Sequence, residues 1–234
     1  VANPSHFAGG TSKIDVALGQ ANFAFGPATA AVVVKKTADA VEDSMLSFGT
    51  GVDWAFYIDS GNAMSLWTGA GSSSSTTVTA ANDWVLLAVT KATGSVAPRF
   101  HKYILSTLAA TLANGGALAN SATPDGGGSV GQDRGGGSNF TGDIAVCGLF
   151  NAVLNDAEVA TLCDLKDDCA SWKAFASLKV LVTLEYPTTL DDKATGGTSD
   201  ETARSGITAA STAPPTWLTV SGGTIENRRR RGMG

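Results

Sequence analysis

Carboxylates are the residues with which this chain could do chemistry, and their spacing limits what that chemistry could be. Cleaving a glycosidic bond takes two carboxylates facing one cleft, which on a strand means alternate positions. No Glu-x-Asp-x-x-Glu arrangement occurs among the 21 acidic residues. Glu185 stands alone on its expected strand, Glu158 sits where it would cap a helix, and Glu42 and Glu226 fall in polar stretches. A Ser-His-Asp site has only His6 and His101 to draw its base from. The expectation is a protein that is not an enzyme.

The elements that would position any site are written in short apolar runs. Charged residues make up 16% of the 234, against about 25% in an average chain. Glycine, at 28 residues, is enriched over an average of about 7%. With Ala, Ser, Thr and Val abundant and no long amphipathic run, this composition predicts many short strands joined by glycine turns. "AAVVVK", "SMLSF", "DWAFYI" and "AMSLW", between Ala30 and Trp67, each read as a strand, and "DSGN" between the last two reads as a hairpin turn. "GAGSSSSTT" reads as a polar loop.

"DWVLLAVTKATG" from Asp83 is apolar at consecutive positions, which predicts a strand buried on both faces. "RFHKYIL" follows as its partner, with Arg99, His101 and Tyr103 on one face and Phe100, Lys102 and Ile104 on the other. Asp143 to Phe150 is again apolar on both faces. Asn155 then has the properties of a helix N-cap, with Glu158 three residues on and Leu154 and Val159 as the flanking staple. That helix is expected to run to about Leu165. The glycines of "DGGGSVGQDRGGGSNF" do not join a strand to a helix as a phosphate-binding loop would, and read as turns.

After residue 170 one strong strand is expected, Val180 to Tyr186, followed by a Thr/Gly/Pro-rich extension with few strands and a basic tail, Arg228, Arg229, Arg230 and Arg231. The domain reading is therefore a sandwich over 1–170 and an extension over 171–234. Three cysteines cannot make a complete disulfide framework, and reduced thiols in a chain folded in cytoplasm are expected, with a Cys163–Cys169 bridge left open. No apolar run approaches the roughly 20 residues a membrane helix needs, and "VANPSHFAGG" lacks the pattern of a signal peptide.

The order of these pieces resembles the laminin-G-like jelly roll, the antiparallel two-sheet sandwich shared with concanavalin A-like lectins and pentraxins. "HFAGGTSKIDVALG", "DWVLLAVTKATG", "RFHKYIL" and "GGSVGQDRGGGSNFTGDIAVCGLFNAVLNDAEVATL" carry the likeness over roughly residues 5 to 165. The resemblance implies an all-β sandwich with one short helix. The glycine-rich composition, the Thr/Pro-rich extension and the arginine tail are similar to structural proteins of tailed bacteriophages. That likeness implies a virion protein assembled in the host cytoplasm, a capsid decoration, head fibre or minor tail component. Its partners would be other virion proteins, sister copies and a host-surface glycan. A free carbohydrate-binding or adhesion module is the alternative, and a divergent glycoside hydrolase a third.

The same resemblance implies that a calcium ion could lie at a loop edge, held by Asp and carbonyl oxygens. Asp125, Asp133 and Asp143 surround the glycine-rich passage in sequence, and Asp39, Glu42 and Asp43 cluster in "TADAVEDS". Solvated turn carboxylates are the simpler reading of both groups, and no other cofactor is expected. Glycan binding would need exposed aromatic rings. Trp54, Trp67 and Trp84 lie in strand patterns and read as core, which leaves Trp172 and Trp217 as contact residues or as pins for the extension. The arginine run would attach to an acidic partner, with nucleic acid as its only other plausible contact; the net charge of −5 argues against nucleic-acid binding by the body.

Overall fold

The structure is a computed structural model, which describes residues 4–17, 23–37, 42–50, 52–77, 83–125, 127–133, 135–184, 193–194, 201–210, 220–221 and 224–225. In chain order the first strands are β1 Ser5–Ala8, β2 Lys13–Val16, β3 Ala28–Lys36, β4 Asp43–Phe48, β5 Trp54–Ile58, β6 Ala63–Trp67, β7 Ser72–Thr77 and β8 Val85–Lys91. There follow β9 Arg99–Ile104, β10 Ala109–Asn114, β11 Gly128–Val130, β12 Thr141–Phe150, helices α1 Asp156–Thr161 and α2 Lys166–Lys173, and β13 Leu178–Thr183. The last are β14 Glu201–Ser205, β15 Ile207–Ala209, β16 Val220–Ser221 and β17 Thr224–Ile225.

Two antiparallel sheets form a sandwich of jelly-roll type. The first has the order β10-β9-β8-β3-β12-β1-β15, with β13 beside β12 as well, and the second the order β14-β2-β11-β4-β5-β6-β7. Between them lies the main core, into which alternate residues point. From the first sheet come Ala30, Val32, Val34, Leu87, Val89 and Leu149, and from the second Ile14, Leu46, Trp54, Phe56 and Leu66. Phe48 stacks on Trp54 at 4.7 Å between ring centroids, a contact worth about 1 kcal/mol beyond its buried area.

The first sheet is also covered on its other face. Ala31, Val33, Leu86, Ala88, Val146 and Phe150 pack there against Val159, Leu162, Cys163, Cys169 and Trp172 of the helical segment. This second layer is why β8 and β12 are apolar at consecutive positions. One turn inside α2 departs from helical geometry, with positive φ at Asp167, Asp168 and Cys169.

Several expectations need correction. Two helices cover the first sheet where one was expected, because the first ends at Thr161 and the chain starts again at Lys166. "GAGSSSSTT" is not a loop: Ser72–Thr77 pairs with β6 as an edge strand. Its serines serve the sandwich rim, as Ser73 Oγ and Ser75 Oγ donate to the carbonyls of Gly116 and Asn114. The boundary at residue 170 falls inside α2, and chain beyond it completes both sheets. β13 pairs with β12, β15 with β1 and β14 with β2. Those partners carry backbone groups that would otherwise lie open at an edge, and a polar strand can fill such a place because the ladder needs no apolar side chain.

Candidate functional site

The outer face of the second sheet carries no helix among the described residues, and strand register decides which side chains it presents. Trp54, Phe56 and Ile58 of β5 point into the core, so Ala55 and Tyr57 point out. On β6, Met64 and Leu66 point in, and Ser65 and Trp67 point out. Pairing then sets out two rows across the face. One runs Ser47, Ala55, Trp67, Ser72, and the next Ser44, Tyr57, Ser65, Ser74. Tyr57 and Trp67 are thus diagonal neighbours on adjacent strands, with the small Ala55 beside them as floor.

Ser44 reaches this face through a bulge. The register of β4 against β5 shifts between Ser44 and Leu46. The extra residue, Met45, stays in the core with Leu46, and Ser44 is turned to the opposite side. Bulges re-aim side chains in this way next to functional sites.

Glu42, Ser44, Val52, Ala55, Tyr57, Trp67, Asp133 and Ser138 line a cleft of about 260 Å³ on this face. Two loops wall it, and both are held by carboxylates. Asp133 accepts from Gly137 N at 3.1 Å and from Ser138 N at 3.0 Å, one bond to each oxygen. Glu42 Oε1 accepts from Ser138 Oγ at 2.5 Å. On the other side Asp125 accepts from Thr50 N at 2.9 Å and donates its own N–H to Asp53 at 3.3 Å. That loop requires glycine at 49, where φ is +94° and a Cβ would come within 1.9 Å of Asp53 Oδ2. It ends in Val52 at φ 55°, a conformation a β-branched residue rarely adopts, and the Val52 carbonyl accepts from Trp67 Nε1 at 3.0 Å. The indole is thereby fixed with its ring toward the cleft.

Burial raises the Tyr57 phenol above its usual value; hydrogen bonds with Ser72 and Ser65 work against that rise, and the Glu42 and Asp59 carboxylates add to it. Tyr57 is therefore a neutral hydroxyl at physiological pH. Ser44 is 1% exposed, and its Oγ has no hydrogen-bond partner among the described residues. A second groove, of about 580 Å³, lies between β8–β9 and the start of α1. Its charged side chains are already matched: Arg99 donates to both oxygens of Asp156, and to Asn114 at 3.2 Å.

The residues singled out from sequence are dispersed. Asp125, Asp133 and Asp143 do not converge, and no group of three or more His, Cys, Asp or Glu that could hold a metal occurs among the described residues. Asp125 and Asp133 accept backbone N–H groups, and Asp143, on the first sheet, accepts from His6 Nδ1 at 2.6 Å. Asp43 forms a buried ion pair with Lys36 at 2.9 Å. Asp39, Glu185, Trp217, Glu226 and Arg228 to Arg231 lie outside the described residues.

Trp172 is not a contact residue: it is fully buried, donates to the Leu162 carbonyl at 2.8 Å, and its ring fills the space a side chain at Gly148 would need. Asn155 and Glu158 form a reciprocal capping box, Asn155 Oδ1 accepting from Glu158 N at 3.0 Å and Glu158 Oε2 from Asn155 N at 2.8 Å. All three cysteines are unpaired and buried, and burial pushes the Cys163 and Cys169 thiols up to about 12.

Trp67 is the cleft-lining residue that a sequence reading as core misses, although alternation with Met64 and Leu66 places it with Ser65. The run Gly127 to Gly131 has the Gly-x-Ser-x-Gly spacing of a nucleophile elbow. Ser129 lies on β11 between β2 and β4, however, and the next element is β12, not a helix. No strand-to-helix corner exposes it.

Residues 9–160 match the model of the concanavalin A-like lectin/glucanases superfamily, and the chain belongs to that family. No curated protein sequence matches the chain. A protein of Bacteroides ovatus ATCC 8483 assigned to carbohydrate binding has a similar structure, with a TM-score of 0.63 at 12% identity. That similarity covers 92% of this chain and 62% of the other, so this chain spans less than two thirds of it. Domains LG4-5 of the mouse laminin α1 chain give 0.50 at 12% identity, over 92% of this chain and 48% of that one. The carbohydrate-binding module CBM40 of a Ruminococcus gnavus sialidase gives 0.48 at 16%, over 66% and 93%.

Proposed function

We propose that this chain is a non-catalytic glycan-binding module whose ligand sits on the outer face of the second sheet. The observation that carries the reading is the cleft itself. Tyr57 and Trp67 offer apolar ring faces beside Ser44, Glu42 and Asp133, the mixture of aromatic surface and convergent polar groups that defines a ligand site. Catalysis is disfavoured by the bonds of the two carboxylates. Both Asp133 oxygens accept backbone N–H groups, so its carboxylate is occupied in holding its own loop. Membership of a superfamily of lectins and glucanases agrees with sugar recognition, without fixing it.

The finer reading is that the module is displayed on the virion of a tailed bacteriophage. It is supported by the glycine-rich composition, the Thr/Pro-rich stretch after residue 186 and the run Arg228 to Arg231. Screening the intact chain against an immobilised glycan panel tests the first reading, with binding expected and its absence across the panel contradicting it. Incubation with the glycans that bind should release no reducing sugar; release abolished in Glu42→Gln would make the protein a hydrolase. Immunogold labelling of purified particles tests the virion reading.

A further inference from the structure

We propose that the cleft over β4, β5 and β6 selects an amino sugar with a free ammonium group, an inference that rests on the glycan reading above. Three independent features of the cleft agree. The first is charge. Glu42 and Asp133 line it, and no Lys, Arg or His does so among the described residues. Glu42 Oε1 is held by Ser138, while Oε2 makes no hydrogen bond to a described residue. An acidic sugar would meet two carboxylates with no counter-charge among the described residues, whereas an ammonium would meet an open carboxylate oxygen and gain a charge-assisted hydrogen bond.

The second feature is the pair of rings. Tyr57 and Trp67 stand diagonally across β5 and β6, and their faces attract a cation within about 6 Å of the ring centre. With its indole N–H tied to Val52, Trp67 offers the ligand its ring face and not its donor.

The third feature is Ser44. Ser44 lines the cleft and is almost wholly buried, and its hydroxyl lacks a hydrogen-bond partner among the described residues. Buried polar groups are hydrogen-bonded in the great majority of cases, and leaving one unsatisfied is costly. An ammonium is a donor with no acceptor capacity. Ser44 Oγ can accept one of its hydrogens while Glu42 takes another. Ser44 thus serves as a positioning group for the ligand that the bulge at Met45 brings into place. At about 260 Å³ the cleft lies just below the range of roughly 300–1,000 Å³ typical of drug-sized ligands, which suits one sugar ring.

Titration calorimetry on the full chain with three tetrasaccharides tests this: the glucosamine tetramer with protonated amines, its fully N-acetylated counterpart, and tetragalacturonate. The cationic probe should bind about tenfold more tightly than the acetylated one, and the anionic probe should not bind. Added salt should weaken the cationic probe alone. Glu42→Gln, with an unchanged melting temperature, should bring the cationic-to-acetylated ratio close to one. Ser44→Ala should weaken the cationic probe more than the acetylated one. Equal or tighter binding of the acetylated or anionic probe overturns the proposal, as does a ratio that survives Glu42→Gln. If none of the three binds but another neutral glycan does, the amino-sugar inference falls and the glycan reading stands. If nothing in a broad panel binds, the glycan reading itself falls.

Discussion

On the first sheet, Ala31, Val33, Leu86, Ala88 and Phe150 turn outward and are sealed beneath α1, α2 and Trp172. On the second, Ser44, Ala55, Tyr57, Ser65 and Trp67 turn outward, and the described chain lays no helix over them. The same sandwich therefore has one outer face covered by its own chain, where ring nitrogens of Trp84 and His101 lie buried without hydrogen-bond partners among the described residues, and one whose rings and Ser44 hydroxyl no described helix covers. Apolar side chains on an outer face do not by themselves mark a binding surface. What marks it is an unpartnered polar group beside rings that no described element covers, whereas on the other face such groups lie beneath the helices.

Two tryptophans, one on each face, give the largest test of that contrast. Trp172→Ala empties a filled site and should cost about 3–5 kcal/mol in chemical denaturation. Trp67→Ala removes a partly exposed ring and should cost less, while abolishing glycan binding. Equal stability losses would mean that the helical cover is no more integral to the fold than the cleft.

Next in size is a pH effect confined to the covered face. His101, buried against the start of α1, has its pKa lowered from 6.5 to about 4, chiefly by burial; nearby Arg99 lowers it further, and Asp156 opposes the shift. Between those two values the unfolded chain holds a proton that the folded chain does not. Stability is therefore fully present above about pH 6.5 and falls as pH drops toward 4. The loss is at most roughly 3 kcal/mol. In His101→Phe that part of the slope should vanish, as read from denaturant midpoints at several pH values. An unchanged slope would show that the histidine is solvated in the folded state.

Smaller still is the loop beside the cleft. Gly49→Ala meets both the positive φ and Asp53, and should cost more than about 1 kcal/mol while weakening glycan binding through Val52 and Trp67. Retained affinity would separate that loop from the site. The smallest effect is at the helix cap, where Asn155→Ala should cost about 1 kcal/mol and Glu158→Ala less. Because each satisfies the other's backbone donor, the double variant should lose less than the sum of the singles.

The fold was legible wherever burial on two faces leaves consecutive apolar residues. The runs at Val85–Lys91 and Thr141–Phe150 required a cover on each side, and the cap at Asn155 required a helix to follow. Edge strands left no such mark. The sequences of Ser72–Thr77 and Ala109–Asn114 carry no apolar alternation, and their places are set by backbone pairing and, in the former, by the Ser73 and Ser75 hydroxyls. The site was legible in part. Parity places Trp67 on the face of Ser65, yet nothing in the sequence shows that Met45 bulges and turns Ser44 outward. Nor does it show that residues 42, 133 and 138 meet Tyr57, since that juxtaposition depends on how distant loops close.

Hydrogen exchange with and without a bound glycan tests most directly whether the uncovered face is the ligand site. Slowed exchange should appear in peptides spanning 42–48, 54–58 and 63–67 and in the 133–138 loop, with none in 143–172. Protection confined to α1, α2 or the groove at Arg99 and Asp156, with β4 to β6 unchanged, would contradict the account.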